Sequence, residues 1–100
     1  MNINQLEYFI TTAELLNFTK AAEACFISQT AMTQQIKALE KTLGVPLFFR
    51  DKHHVELTPA GRVYLAEARA IVNRSNEAMK LARLASTGVE GDLTIGFIRG

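Results

Sequence analysis

The sequence predicts a mainly α-helical chain, in which three short helices and a two-stranded hairpin precede one long helix. Apolar residues recur at spacings of three and four through most of the chain, which is the pattern of a helix with one buried face. Two short apolar segments on either side of a polar turn at 51–54 interrupt this pattern and indicate the hairpin. No proline follows Pro59, so the last helix is expected to be long.

The first helix is predicted at about residues 3–16, and a second, short helix follows it through Cys25. Thr19 is the predicted N-cap of the second helix, because a threonine hydroxyl accepts a hydrogen bond from a backbone N–H of the first turn. Asn17 and Phe18 are expected to separate the two helices. The apolar face of the first helix consists of Leu6, Phe9, Ile10, Ala13 and Leu16.

A third helix is expected to begin after Ser28 as its N-cap and to end at Gly44, with Pro46 close behind. The beginning of this helix is polar, and residues 27–39 contain no acidic side chain. The buried stripe of the third helix is predicted to be Met32, Ile36, Leu39 and Leu43.

The order of these elements favours a DNA-binding module. A helix that braces a second helix across a tight turn, with polar residues leading the second, is the helix-turn-helix arrangement that presents side chains to the major groove. We place the helix-turn-helix at about residues 18–37 and a recognition helix at about 28–43. The segments 47–50 and 55–57 then form a two-stranded wing, so residues 1–58 are predicted to be a winged helix-turn-helix domain.

The long helix is predicted over residues 59–87, with Thr58 as a cap and Pro59 in its first turn. Its length, roughly 40 Å, exceeds what the preceding domain covers. Small and apolar residues at alternating spacings of four and three are typical of two helices that pack side by side. We therefore expect a homodimer through this helix; the alternative is that the same face packs on its own domain. The predicted dimer interface is Tyr64, Leu65, Ala68, Ile71, Val72, Ser75, Ala78, Met79 and Ala82.

Residues 88–100 are predicted to be a hinge and the first strand of a truncated further domain. The apolar residues of the predicted strand are Leu93, Ile95 and Phe97.

The composition of the chain indicates a globular protein, with 48% hydrophobic and 21% charged residues. No apolar run approaches the roughly 20 residues of a membrane helix, and a signal peptide is not recognisable, so we expect a cytoplasmic protein without membrane contact. The single cysteine, Cys25, excludes an internal disulfide. No constellation of catalytic residues is present, so we expect no enzymatic activity and no metal site.

Charge leaves two functions open. The formal net charge is +1, and residues 1–58 carry five basic against six acidic side chains, a balance of −1. Since DNA-binding domains usually carry a basic patch, this balance favours the alternative of a winged-helix protein-interaction or oligomerisation module without DNA binding. The acid-free segment 27–39 favours DNA, because helix N-termini and backbone amides hold phosphates without adding formal charge.

A set of short motifs occurs in a fixed order along the chain: Ala21-Ala22, Ser28-Gln29, Ala31, Ile36, Leu39-Glu40, Leu43-Gly44, Leu47-Phe48, Arg50 and Leu57-Thr58-Pro59-Ala60-Gly61. In this order they resemble the N-terminal domain of LysR-type transcriptional regulators, over about residues 3–72. The resemblance implies a sequence-specific regulator that binds interrupted palindromic sites in double-stranded DNA near bacterial promoters, as a dimer or tetramer. It implies no cofactor in these residues and a small-molecule effector for a C-terminal domain.

The resemblance also implies which residues contact DNA. Four polar residues match the groove-facing positions of the recognition helix, and Lys37 matches a position one turn further on, suited to a phosphate. Arg50 matches an arginine of the wing, whereas His53 stands where arginine is usual. The full predicted set is Thr19, Gln29, Thr30, Thr33, Gln34, Lys37, Arg50 and His53.

Some of these residues have a second interpretation. Gln29 and Gln34 are either base or phosphate contacts, since glutamine pairs bidentately with adenine, or ordinary solvent-facing residues. Arg50 either contacts DNA or forms an ion pair that serves the fold, for example with Glu40. Cys25 has the spacing of a core residue, against a redox role. The histidine pair at 53–54 suits a solvated turn better than a metal site.

Overall fold

The computed structural model describes residues 2–88 and confirms the mainly α-helical prediction with a two-stranded wing. The predicted hinge and strand, with Leu93, Ile95 and Phe97, lie outside the described residues. In chain order the elements are α1 (Ile3–Leu15), α2 (Phe18–Ala24), α3 (Gln29–Leu43), β1 (Phe48–Arg50), β2 (Val55–Leu57) and α4 (Pro59–Gly88).

The start of α2 corrects one prediction. The cap is Asn17 and not Thr19: the Asn17 side chain accepts a hydrogen bond from the backbone N–H of Lys20 at 2.8 Å. Asn17 has an extended backbone, and its short amide reaches the first turn, whereas Thr19 already lies inside the helix. Phe18, expected to be a break, is the first helical residue, and its side chain is buried in the core.

The turn between α2 and α3 is closed by two backbone hydrogen bonds. The N–H of Phe26 donates to the carbonyl of Glu23 at 3.1 Å, and the N–H of Ile27 donates to that of Ala22 at 3.0 Å. Together with a left-handed backbone at Phe26, φ 59°, these bonds form a Schellman motif. Glycine usually occupies that position, and the Phe26 side chain is 95% exposed. This motif sets the tight angle between the two helices.

The limits of α3 agree with the sequence. The Ser28 hydroxyl accepts a hydrogen bond from the N–H of Ala31 at 3.0 Å, which confirms Ser28 as the N-cap. Gly44, with φ 79°, ends the helix and donates its N–H to the carbonyl of Glu40 at 2.8 Å. The predicted stripe of α3 is fully buried at Met32, Ile36 and Leu39 and half-buried at Leu43.

An aromatic cluster fastens the wing to the helices. The strands β1 and β2 are antiparallel, with Phe48 opposite Leu57. The Phe48 ring makes edge contacts with the rings of Phe9 and Phe18, at centroid distances of 5.6 and 5.5 Å. Phe9 also packs against Tyr64 of α4 at 5.7 Å. The same cluster therefore joins α1, α2, the wing and α4, and aromatic contacts of this kind stabilise beyond the area they bury.

The junction between the wing and α4 is tightly packed. Thr58 caps α4 as predicted: its hydroxyl accepts a hydrogen bond from the N–H of Gly61 at 2.9 Å and donates one to the carbonyl of Pro46 at 2.8 Å. The backbone of Gly61 lies directly against that of Leu47, and a Cβ at this position would stand 2.1 Å from the Leu47 carbonyl oxygen. Only glycine fits this approach without displacing the backbone.

The helix α4 continues to Gly88, one residue beyond the predicted end. Its first half packs on α1, where Ala68 and Val72 belong to the hydrophobic core. The interface prediction is therefore corrected for Ala68 and Val72, which pack inside their own chain. Tyr64 and Leu65 are also partly buried against this core. Beyond α1, the side chains of α4 are almost all exposed, and the longest dimension of the molecule is 59 Å.

Candidate nucleic-acid interface

A groove of about 480 Å³ lies between the two helices of the helix-turn-helix and the wing. We call it the wing groove. One wall is formed by residues 16–19 at the beginning of α2 and another by residues 50–55 of the wing. Its third wall is the face of α3 that carries Gln29, Thr33 and Lys37. These three residues are spaced by four and thus follow one side of the helix.

The wing groove brings together six of the eight residues predicted to contact DNA. Thr30 and Gln34 do not line it, although both are exposed. They lie one position further round α3, on the neighbouring stripe, so they face a different direction from the groove. The six predicted residues that line the groove are Thr19, Gln29, Thr33, Lys37, Arg50 and His53.

Charge around the wing groove differs from the charge of the domain as a whole. The groove is lined by Lys37, Arg50 and Lys52 against the single carboxylate of Asp51, an excess of two positive charges with both histidines neutral. Within residues 2–88, neither Lys37 nor Lys52 takes part in an ion pair. Two unpaired cations at the mouth of a groove suit an anionic ligand, although the domain carries a net negative charge.

Glu40, at the end of α3, holds the wing in place. Its Oε2 accepts hydrogen bonds from the backbone N–H groups of Leu47 and Phe48, at 2.7 and 3.3 Å. Its Oε1 accepts one from the guanidinium of Arg50 at 2.7 Å. One carboxylate thus fixes the position of the wing relative to α3 and satisfies backbone donors of two buried residues.

Arg50 forms an ion pair with Glu40, as the second interpretation of this residue predicts. The guanidinium also lies over the Phe18 ring, 4.9 Å from its centroid, which is a cation–π contact. Arg50 therefore contributes to the packing between wing and helices while it lines the groove. Its contact with DNA stays a prediction.

The tip of the wing is a polar turn. The N–H of Asp51 donates to the carbonyl of His54, and the Asp51 carboxylate accepts from the N–H of His53, both at 2.9 Å. The pKa of His54 is raised above its ordinary value, first by the hydrogen bond of its ring to the Glu56 carboxylate and then by the charge of that carboxylate. Protonation of His54 adds positive charge to the groove wall, and this charge persists to a higher pH than for an isolated histidine.

The remaining alternatives from the sequence concern Cys25 and the histidines. Cys25 is half-buried and packs against the hydrophobic core. In residues 2–88 there is no group of three or more histidine, cysteine, aspartate or glutamate side chains placed to hold a metal ion. Within the same part of the chain, none of the helices has the length and apolar character needed to cross a membrane.

Two features of the groove and its support do not follow from the sequence pattern. Lys52 supplies a second unpaired cation, and Glu40 anchors the backbone of β1. Lys52 stands in the polar turn of the predicted wing, so the turn itself was the available signal. The sequence indicates Glu40 as a possible partner of Arg50, whereas its bonds to backbone N–H groups depend on the folded path of the chain.

Comparison with known proteins agrees with this geometry. Residues 3–62 match the family described as "Bacterial regulatory helix-turn-helix protein, lysR family". The chain is 43% identical over 98 residues to the Hca operon transcriptional activator HcaR of Escherichia coli (strain K12), covering 98% of this chain and 33% of HcaR. It superposes on a crystal structure of the CbnR_DBD-DNA complex with a TM-score of 0.83 and 40% identity, over 86% of this chain and 99% of that one.

A second solved structure, the BenM_DBD/catB site 1 DNA complex, gives a TM-score of 0.83 at 30% identity and covers 88% of this chain and 98% of that one. With a family match over most of the winged part and the same fold, the chain belongs to the LysR family of bacterial helix-turn-helix regulators. It spans about a third of the length of curated relatives such as HcaR.

Proposed function

We propose that this chain is the DNA-binding part of a sequence-specific transcriptional regulator, with α3 in the major groove and the wing beside it. The observation that carries the proposal is the wing groove, which gathers six predicted contact residues, one of them the unpaired Lys37, and a second unpaired lysine, Lys52, along one exposed surface. The solved CbnR and BenM domains with the same fold are complexes with DNA. This favours DNA binding over a winged-helix module that serves only protein contacts.

We further propose the role that the sequence predicts for each segment: residues 1–58 bind DNA, residues 59–87 form the dimer, and residues 88–100 are a hinge that leads into an effector-binding domain. A full-length CbnR structure complexed with its target DNA resembles this chain over only 29% of its own length, which supports a larger protein. On this proposal the whole protein is non-enzymatic and cytoplasmic. It binds interrupted palindromes as a dimer or tetramer and responds to a small molecule.

The roles of Gln29 and Lys37 provide the test of DNA binding. Gln29→Ala is expected to weaken binding to a selected site by about 1–3 kcal/mol and to flatten discrimination at one base pair of each half-site, because a base contact is lost. Lys37→Ala is expected to weaken all duplexes alike and to lower the slope of log affinity against log salt by about one unit, as for a phosphate contact. Fluorescence-anisotropy titrations on selected and scrambled duplexes measure both.

Gln29 and Lys37 serve as matched controls for each other, since both are exposed on one face of α3. Equal losses on selected and scrambled duplexes for Gln29→Ala would show that Gln29 positions the protein without reading a base. A wild-type chain that binds no duplex at low salt would contradict the proposed function and leave the protein-interaction module in its place.

The dimer is proposed to form through those residues of the predicted α4 interface that α1 leaves exposed. Ile71 and Met79 are 42% and 47% exposed. Ala78 and Ala82 on the same side are also exposed, and Ser75 is half-buried. Sedimentation at micromolar concentration is expected to give twice the chain mass of 11.1 kDa. Met79→Glu is expected to shift the equilibrium to monomer, because it buries an unpaired carboxylate in the interface.

Leu84→Glu is the control for the dimer experiment. Leu84 is 58% exposed on the opposite side of α4, so the same carboxylate there is expected to leave the dimer intact. A wild-type monomer, or dissociation by Leu84→Glu with Met79→Glu still dimeric, would place the interface elsewhere.

A further inference from the structure

The tip of the wing carries a hydrogen-bonded pair of ionisable side chains, His54 and Glu56. The imidazole Nε2 of His54 donates to the carboxylate oxygen Oε2 of Glu56. His54 belongs to the lining of the wing groove, whereas Glu56 does not. Glu56 lies opposite Phe49 in the strand pairing, and the alternation of side chains places both on the face of the wing that points away from the core. The pair therefore spans the rim of the groove.

The fixed charges of the wing cancel each other. Residues 50–57 contain two basic and two acidic side chains, so their net charge is zero when both histidines are neutral. Protonation of His54 changes the balance to +1. Since proteins are attracted to DNA through its phosphates, this one proton decides whether the wing contributes a net attraction. The four fixed charges belong to Arg50, Lys52, Asp51 and Glu56.

The charged form of His54 is favoured by its neighbours within the wing. The pKa of His54 is raised first by the hydrogen bond to Glu56 and then by the charge of that carboxylate. Desolvation of the ring lowers this pKa by a smaller amount, and the charge of Asp51 raises it by the smallest amount. The ring of His53 has no hydrogen-bond partner within residues 2–88. His54 is thus the histidine whose charge the wing stabilises.

The other walls of the wing groove present basic or uncharged groups to His54. Lys37 lies on the α3 wall, and residues 16–19 at the beginning of α2 carry no charge. Arg50 and Lys52 line the groove from the wing itself. The pair of His54 and its carboxylate is largely exposed, with 63% and 46% of the two side chains accessible. A proton on His54 therefore adds to an existing positive charge that a bound anion can approach.

We propose that the wing binds DNA in a proton-dependent way: with the His54 imidazole protonated, the wing carries a net positive charge that attracts the phosphate backbone, and with the imidazole neutral this attraction is lost. The inference rests on the proposed function and adds regulation by pH to it. An anionic duplex binds the protonated form more tightly, so binding takes up a proton and the affinity falls as the pH rises through the pKa of His54. Because Glu56 raises that pKa, the fall is centred above pH 6.5, the ordinary value of histidine.

The experiment is a set of fluorescence-anisotropy titrations of the 100-residue chain between about pH 6 and about pH 9, at constant ionic strength, on a selected and a scrambled duplex. His54→Asn keeps a polar side chain that does not titrate, and His54→Lys carries a fixed positive charge throughout this range. Glu56→Gln removes the carboxylate and keeps the shape of the side chain. His53→Asn is the matched control, since it removes the neighbouring histidine and leaves the pair intact. Circular dichroism verifies the fold of each variant over the same range.

The wild-type chain is expected to bind both duplexes more weakly at the upper end of the range, by about three- to tenfold per bound wing, as for the loss of one phosphate contact. The slope of log affinity against log salt is expected to become shallower by up to about one unit per wing. His54→Asn is expected to bind weakly at every pH and His54→Lys tightly at every pH. His53→Asn is expected to retain the fall in affinity above pH 6.5.

Glu56→Gln separates the carboxylate from the histidine. Removal of its negative charge is expected to strengthen binding at high pH, and the fall in affinity is expected to move to lower pH because the partner that stabilises the imidazolium is lost. Proton NMR of the imidazole follows the same titration without an affinity measurement. The pKa of His54 is expected to lie above 6.5 in the free chain, to rise further in the duplex complex and to fall in Glu56→Gln.

The inference fails separately from the proposed function. A wild-type affinity that does not change with pH, or a fall in affinity that persists in His54→Asn, overturns the inference and leaves DNA binding intact. A pH dependence confined to the selected duplex identifies a base contact and overturns the role of wing charge. An unmoved fall in Glu56→Gln overturns the role of the pair. Absence of binding to any duplex at every pH contradicts the proposed function and this inference together.

Discussion

Replacing Gly61 by alanine is expected to destabilise the winged domain by at least about 3 kcal/mol, the upper end for an overpacked site. The new Cβ would stand 2.1 Å from the carbonyl oxygen of Leu47 and 2.9 Å from Cδ2 of Leu57. The Leu47 backbone has little freedom to move, because its oxygen accepts from the N–H of Thr58 at 3.0 Å and its N–H donates to Glu40. The better helix propensity of alanine offsets only about 1 kcal/mol. Urea unfolding followed by circular dichroism measures the difference.

Gly44→Ala is the matched control for this prediction. No atom lies within 4 Å of a Cβ at position 44, and its φ of +79° is unfavourable for alanine. This substitution is therefore expected to cost about 1 kcal/mol through backbone strain alone. If Gly61→Ala were no more destabilising than Gly44→Ala, the close approach of α4 to the wing would be refuted.

The second large effect is expected at Glu40. Glu40→Gln keeps the shape of the side chain, yet it replaces one acceptor oxygen by an NH₂ group and removes the charge that binds Arg50. Hydrogen bonds to charged groups contribute about 1.5–3 kcal/mol, so a loss of about 2–3 kcal/mol of unfolding free energy is expected. The donors at Leu47 and Phe48 belong to buried residues, so water replaces the lost acceptor poorly. Urea unfolding again provides the measurement.

An ion pair elsewhere in the same domain separates the burial effect from the charge effect. Arg69 and Glu14 are 3.0 Å apart, and about half of each side chain is exposed. Glu14→Gln is expected to change stability by no more than about 1 kcal/mol, since exposed ion pairs contribute little. Similar small losses for Glu40→Gln and Glu14→Gln would show that the Glu40 carboxylate does not hold the wing.

The elements that follow from local rules were predictable from the sequence. The buried stripe of α3 was visible because helical geometry imposes its spacing on any buried face. The caps Ser28 and Thr58 were visible because each supplies an acceptor directly before an apolar periodic segment. The wing was visible because apolar segments flank a polar turn. These features depend only on neighbours along the chain.

The features that the sequence did not predict depend on tertiary contacts or on competition between two residues for the same capping role. Two capping residues stand close together before α2, and the sequence does not show that Asn17 binds the first turn while Thr19 binds Gln29. The Schellman turn carries Phe26 at the position where glycine is the usual signal, so nothing local marked it.

The stripe of α4 shows a related limit. Ala68 and Val72 follow the same spacing as Ala78 and Ala82, yet the first pair faces α1 and the second pair is exposed. The spacing of apolar residues along a helix indicates which face is suited to burial, but it does not indicate which element covers that face. The change from buried to exposed residues along α4 depends on how far α1 covers it, which only the folded arrangement shows.

Because the junction at Thr58 is tightly packed, α4 and the winged domain are expected to move as one rigid unit. The helix has 30 residues, which at 1.5 Å per residue is about 45 Å. Its cap, Thr58, donates a hydrogen bond to the carbonyl of Pro46, and Gly61 in its first turn packs against the backbone of Leu47. A tilt of about 5° at its far end would displace the winged domain by about 4 Å over this length, more than half the roughly 7 Å spanned by two base-pair steps. In the proposed dimer, a small change in the angle of α4 would therefore suffice to alter the distance between the two winged domains.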